Sequence, residues 1–143
     1  MSDFYIKNGH SHNLNPDVAK ETFDVPVIYK VTAKQLEDII VTALEGGINH
    51  WAILDNTGDE WKNKKKDLPT SQYAFGFIYA KTPIKFEDAE GSEDDSDWWL
   101  TFDKLIKGIA LELQNYQTDL EDIDGESADR IIQYALFGDV VYG

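Results

Sequence analysis

The stretch TAKQLEDIIVTALEGGINHWAILD, Thr32 to Asp55, decides the fold class because its hydrophobic pattern changes period within one run. Thr32 opens a capping box, in which its hydroxyl accepts the backbone N–H of Gln35 while the Gln35 side chain reaches back to Thr32. Leu36, Ile39, Ile40, Ala43 and Leu44 then recur at helical spacing, and Gly46-Gly47 supplies a left-handed exit. Beyond the glycines, INHWAILDNTG reads as a strand that ends in a turn.

Outward from this helix and strand, the chain repeats both kinds of element. Upstream, FDVPVIYKVT (23–32) has the β-branched and aromatic density of an edge or first strand, with Pro26 near its start. Downstream, YAFGFIYAKTPIKFED (73–88) predicts a strand or hairpin in which Tyr73, Phe75, Phe77 and Tyr79 share one face, Gly76 marks a bulge and Pro83 a turn. DWWLTF (97–102) predicts a short strand with Trp98 and Trp99 on opposite sides. Thr101 caps a second helix with Phe102, Leu105, Ile106, Ile109, Leu113 and Tyr116 inward. Ile131, Ile132, Ala135 and Leu136 form the apolar stripe of a third helix that stops at Gly138, and DVVYG offers a last strand. The expected fold is a single α+β domain over residues 21–143, a mainly antiparallel sheet with about three helices on one face, behind an irregular N-terminal arm over residues 1–20.

With 143 residues, 42% of them hydrophobic, the chain can bury one core without a staple. The lack of cysteine removes thiol nucleophiles, thiolate metal sites and disulfides together. MSDFYIKNGHSHNLNP has neither the basic start nor the apolar run of a signal peptide, and no stretch approaches the roughly 20 apolar residues of a membrane span, which predicts a cytoplasmic protein. The net charge of −14 is lopsided: residues 1–66 sum to −2 and residues 67–143 to −12. Such a field repels nucleic acid and anionic lipid, and it attracts basic surfaces over about 8 Å in physiological salt.

Two acidic stretches concentrate this charge. EDAEGSEDDSDWW supplies Glu87, Asp88, Glu90, Glu93, Asp94, Asp95 and Asp97 and then Trp98 and Trp99; TDLEDIDGES supplies Asp119, Glu121, Asp122 and Asp124. Neither has calcium-loop spacing: with Gly91 at the sixth position the first ligand is Phe86, and with Gly125 there the first is Leu120. His10 and His12 would point the same way on an extended arm, as two zinc ligands do, yet a polar arm explains NGHSHN equally well. His50 beside Trp51 reads as a base in a pocket or as a partly buried histidine. No phosphate loop, nucleophile elbow or HExxH motif occurs, so the residues name no catalytic group, metal ligand or cofactor. They leave the two acidic stretches, with the outward member of the Trp98-Trp99 pair, as candidate contacts for a partner.

At EDIIVTALEGGINHWA and ADRIIQYALFGDVVYG the chain resembles a group of short acidic proteins from phages and mobile elements of Gram-positive bacteria. The resemblance brings no assigned activity, and where that group often has Tyr-Trp this chain has His50-Trp51. It implies a setting in the host cytoplasm and a non-enzymatic role: binding the basic surface of a host nuclease or other defence protein, in the manner of inhibitors that imitate DNA. Two other readings stay open at this point. In one the acidity serves solubility alone; in the other, aromatic residues around His50 and Trp51 form a small-ligand or catalytic pocket.

Overall fold

In the computed structural model, which describes residues 4–91 and 97–143, the Thr32 capping box is closed in both directions. Gln35 N donates to Thr32 Oγ1 at 3.1 Å, and Thr32 N donates to Gln35 Oε1 at 3.0 Å. The helix it opens spans Ala33–Thr42 and buries Leu36, Ile39 and Ile40. It ends in a wide turn over Ala43–Gly47, where Gly46 takes φ 153°. Below, β1 is Tyr5–Asn8, β2 Ser11–Leu14, α1 Pro16–Ala19, α2 Ala33–Thr42, β3 Ala52–Asp55, α3 Thr70–Tyr79, β4 Ile84–Asp88, β5 Trp98–Leu100, α4 Phe102–Asn115 and α5 Gly125–Phe137.

The chain divides into two units between Lys30 and Val31. In the first unit the expected irregular arm is a β-hairpin: β1 pairs antiparallel with β2, Tyr5 opposite Leu14 and Asn8 opposite Ser11, around Gly9 at φ 65°. Positive φ at a tight turn is what glycine permits, and NGHS supplies it there. Asn15 caps α1 by accepting the Asp17 N–H at 3.0 Å. The strand expected over residues 23–32 is not formed; residues 21–30 have no regular structure and are exposed.

In the second unit β3, β4 and β5 form an antiparallel sheet in that order, with Asp55 opposite Lys85 and Lys85 opposite Trp99. Alternation sends Ala52, Ile84, Phe86 and Leu100 into the core. The stripe predicted for the third helix is α5, with Ile131 and Ile132 fully buried and Gly138 as a left-handed stop at φ 73°. α4 and α5 pack against each other at Gly108, where a β-carbon would stand 2.5 Å from the Ile131 carbonyl oxygen. Between the same helices Glu112, with no solvent exposure, holds Arg130 through Nε at 2.9 Å and Nη2 at 2.8 Å. Thr118 Oγ1 donates to the same carboxylate, so its charge is paired and hydrogen-bonded.

Several expected elements differ. Residues 73–79 lie in α3, not in a strand, and Gly76 is a helix residue rather than a bulge. The period-2 aromatics also place Tyr73 and Phe77 one helical turn apart. Their rings meet edge-on at 5.0 Å, and Trp61 closes on both. Ser71, Ala74 and Ile78 form the buried face. Ile106 and Tyr116, expected inward on α4, are exposed: Ile106 lies off the buried face of Leu105, Gly108, Ile109 and Glu112, and Tyr116 follows the end of the helix in extended backbone. DVVYG forms no strand; its backbone is bonded instead by the Gln133 side chain.

Candidate functional site

The sheet alternation that buries Phe86 places Ile53, Asp55, Lys85, Glu87 and Trp99 on its opposite face. At the centre of that face is the Lys85 ammonium, 3.2 Å from Asp97 Oδ1, 3.6 Å from Asp55 Oδ2 and 3.8 Å from Glu87 Oε1. The hydrogen bond to Asp97, with the charges of Asp97, Asp55 and Glu87 behind it, raises the Lys85 pKa and outweighs desolvation. Asp55 is held below the usual carboxylate range chiefly by Thr57, whose hydroxyl and N–H both donate to Oδ1. One cation thus faces three carboxylates, and the face keeps a net negative charge.

Trp99 and Ile53 stand beside this cluster with 46% and 53% of their surface in solvent. Trp98, its neighbour in β5, turns to the other side and meets Trp51 and Phe137 at 5.7 and 5.1 Å. The expectation that the two indoles face opposite ways therefore holds. Lys104 Nζ donates to the Trp99 carbonyl at 2.8 Å, which satisfies an outward backbone acceptor on this edge strand.

The other candidate residues fall into distinct settings. Asp88 and Glu90 form the turn after β4: Asp88 Oδ1 accepts the Glu90 N–H at 2.9 Å, and Gly91 follows at φ 69°. Glu93, Asp94 and Asp95 lie outside the described residues. In the second stretch, Asp119 accepts the Glu121 N–H, Glu121 accepts Gln35 Nε2 at 2.9 Å, and Asp124 caps α5 by accepting the Ser127 N–H at 2.7 Å. Asp122 is exposed. Asp119 and Asp124 thus hold local structure, and Glu121 ties this stretch to α2. The Ser127 backbone and hydroxyl lower the Asp124 pKa, outweighing desolvation, and the Arg130 charge adds to the same direction.

Sequence reading did not single out Asp129, on which the surroundings of His50 converge. Its Oδ1 accepts Trp51 Nε1 at 2.7 Å and Gln133 Nε2 at 2.9 Å, and Oδ2 lies 3.7 Å from His50 Nε2. Asp129 and His50 border an open cleft of about 640 Å3 that also touches Glu45, Gly47 and Glu126. Trp51 itself is core, and the aromatic group around it is filled by Tyr142, Trp98 and Phe137. Among the described residues no set of three or more His, Asp or Glu side chains could hold a metal ion, and no helix is long and apolar enough to cross a membrane. No protein-family model, curated protein or solved structure matches the chain.

Proposed function

We propose that this is a non-enzymatic acidic binding protein that docks a basic surface of another protein on the outer face of its sheet. The observation that carries the reading is the half-exposed Trp99 beside Glu87 and Asp97, which are 50% and 60% exposed at the side chain. An exposed indole supplies a desolvated anchor, and a carboxylate rim supplies steering and selectivity for cations. The charge of −12 over residues 67–143 extends that field beyond the face.

In its specific form, the proposal is a phage-associated inhibitor acting in the host cytoplasm on a defence or nucleic-acid-handling protein, its carboxylates taking the place of DNA phosphates. Duplex DNA carries one charge per roughly 1.7 Å of axis, so a basic channel built for it attracts a folded acidic surface. The test is capture from host lysate with the wild-type chain and with a Trp99→Ala/Glu87→Gln/Asp97→Asn variant in parallel. A nucleic-acid-binding protein retained by the first, lost by the second and displaced by duplex DNA is the expected result. Equal retention by both moves the contact off this face, and insensitivity to DNA removes mimicry.

A further inference from the structure

Residues 22–30 pose a problem that the docking face does not touch. They lie outside every helix and strand, and among the described residues no hydrogen bond reaches them. Phe23, Val25, Val27, Ile28 and Tyr29 are 81%, 76%, 81%, 93% and 56% exposed. A run of this length with so much apolar surface in water is uncommon in a chain that acts alone. Its pattern is that of a strand, since Phe23, Val25, Val27 and Tyr29 recur at period 2 with Asp24, Pro26, Ile28 and Lys30 between them.

We infer that this segment is a strand completed by the same segment of a second copy, in an antiparallel pair centred on Val27. Pro26 has no N–H, so the edge carrying residues 24, 26 and 28 cannot pair continuously, whereas that of Val25, Val27 and Tyr29 can. Centring on Val27 places Val27 opposite itself and Val25 opposite Tyr29 in hydrogen-bonded pairs. Pro26 then faces Ile28 in a pair that needs no N–H, and Asp24 faces Lys30 in the other close, non-hydrogen-bonded pair. The two-fold axis makes that ion pair twice, and Val25–Tyr29 is a favoured β-branched–aromatic pair. Moving the centre to residue 26 puts Asp24 opposite Ile28 and Lys30 opposite Thr22; moving it to residue 28 puts them opposite Thr32 and Pro26. Of these three registers, the one that suits the proline is also the one that matches the charges. Lys20, Glu21, Asp24 and Lys30 cancel, so a second copy meets little repulsion here despite the net charge of −14.

The test is sedimentation equilibrium of the full chain from micromolar to millimolar concentration, and the expected result is a monomer–dimer equilibrium. Asp24→Lys and Lys30→Asp each place like charges opposite one another twice, and each weakens the dimer by about fivefold or more. The double exchange restores it. Long-range charge alone behaves differently, because Asp24→Lys lowers the net charge and would then tighten association. Val27→Pro removes the central N–H and abolishes the dimer. All three residues are exposed, so near-ultraviolet circular dichroism stays unchanged. A chain that is monomeric throughout overturns the inference, as does a dimer indifferent to the single reversals or one that the double exchange fails to restore.

Discussion

Tyr142 lies flat on Trp51, with ring centroids 5.0 Å apart and planes within 6° of parallel, and Gln133 fixes the backbone that carries it. The Gln133 oxygen accepts the N–H groups of Val141 and Tyr142, both at 2.8 Å, and its nitrogen donates to the Tyr142 carbonyl and to Asp129. A glutamine has two acceptor and two donor positions, and this fully buried one uses all four. Burial, with Asp88 and Glu90 nearby, raises the Tyr142 pKa and keeps the phenol neutral against the indole.

Gln133→Leu keeps the volume of the side chain and deletes these bonds. The freed N–H groups must then be left unsatisfied or released to water with the tail, at a cost of about 2 kcal/mol. Urea unfolding should show that loss, with Trp emission shifted to the red as Tyr142 leaves Trp51. Unchanged emission and midpoint would show that the tail is held by something other than Gln133.

Two glycine-to-alanine changes should have opposite signs. At Gly76, inside α3, an added β-carbon meets nothing within 4 Å, and the change should stabilise by up to about 1 kcal/mol through helix propensity. At Gly108, inside α4, it would meet the Ile131 carbonyl at 2.5 Å and the Ala135 backbone nitrogen at 2.9 Å. The same propensity gain is then outweighed by separating α4 from α5, a net loss of about 2 kcal/mol or more. Thermal melts of the two variants decide it, and a stabilised Gly108→Ala would refute the close approach of the helices.

This contrast also shows what was legible beforehand. The α2 capping box, the α5 stripe and the Trp98-Trp99 division are local patterns of spacing, so the sequence displays them. α3 reads as a strand in sequence because aromatic alternation satisfies both a strand and an i,i+4 ring pair, and Trp61, outside the segment, favours the second. Glu112 and Gln133 escaped notice since their partners come from another helix or from the tail. The cluster around Lys85 depends on strand register: Asp55, Lys85 and Asp97 become neighbours only once β3, β4 and β5 are paired.

Asp124 should give the fold a measurable acid sensitivity. Its pKa is lowered in the folded chain by the Ser127 amide and hydroxyl, so its contribution is full above the unfolded value of about 4 and disappears as pH falls through the lower folded value. Asp124→Asn keeps an oxygen for the cap but cannot titrate, whereas Asp124→Ala removes the cap and costs about 1 kcal/mol at neutral pH. The difference in unfolding free energy between wild type and Asp124→Asn should therefore be largest near pH 7 and shrink below pH 4. A difference that does not vary with pH would assign the cap no ionic component.

The adjacent tryptophans should separate stability from binding. Trp98 contacts Trp51, Phe137 and Tyr142, so Trp98→Ala opens a cavity in the aromatic cluster and should cost about 3 kcal/mol. Trp99 lies on the opposite face with its carbonyl, not its ring, bonded to Lys104, and Trp99→Ala should change stability by less than about 1 kcal/mol. For a captured partner the order reverses in kinetics: loss of the Trp99 ring should raise the off-rate, since a desolvated anchor acts after encounter. Glu87→Gln with Asp97→Asn should instead lower the on-rate and flatten its salt dependence, since exposed carboxylates act through the field before contact. Lys85→Met provides the opposite control. Removing the cation that Asp55, Glu87 and Asp97 surround makes the face more negative, and the on-rate for a basic partner should rise at low salt. Binding kinetics at two ionic strengths would distinguish these effects, and rates unaffected by all three changes would place the contact elsewhere on the chain.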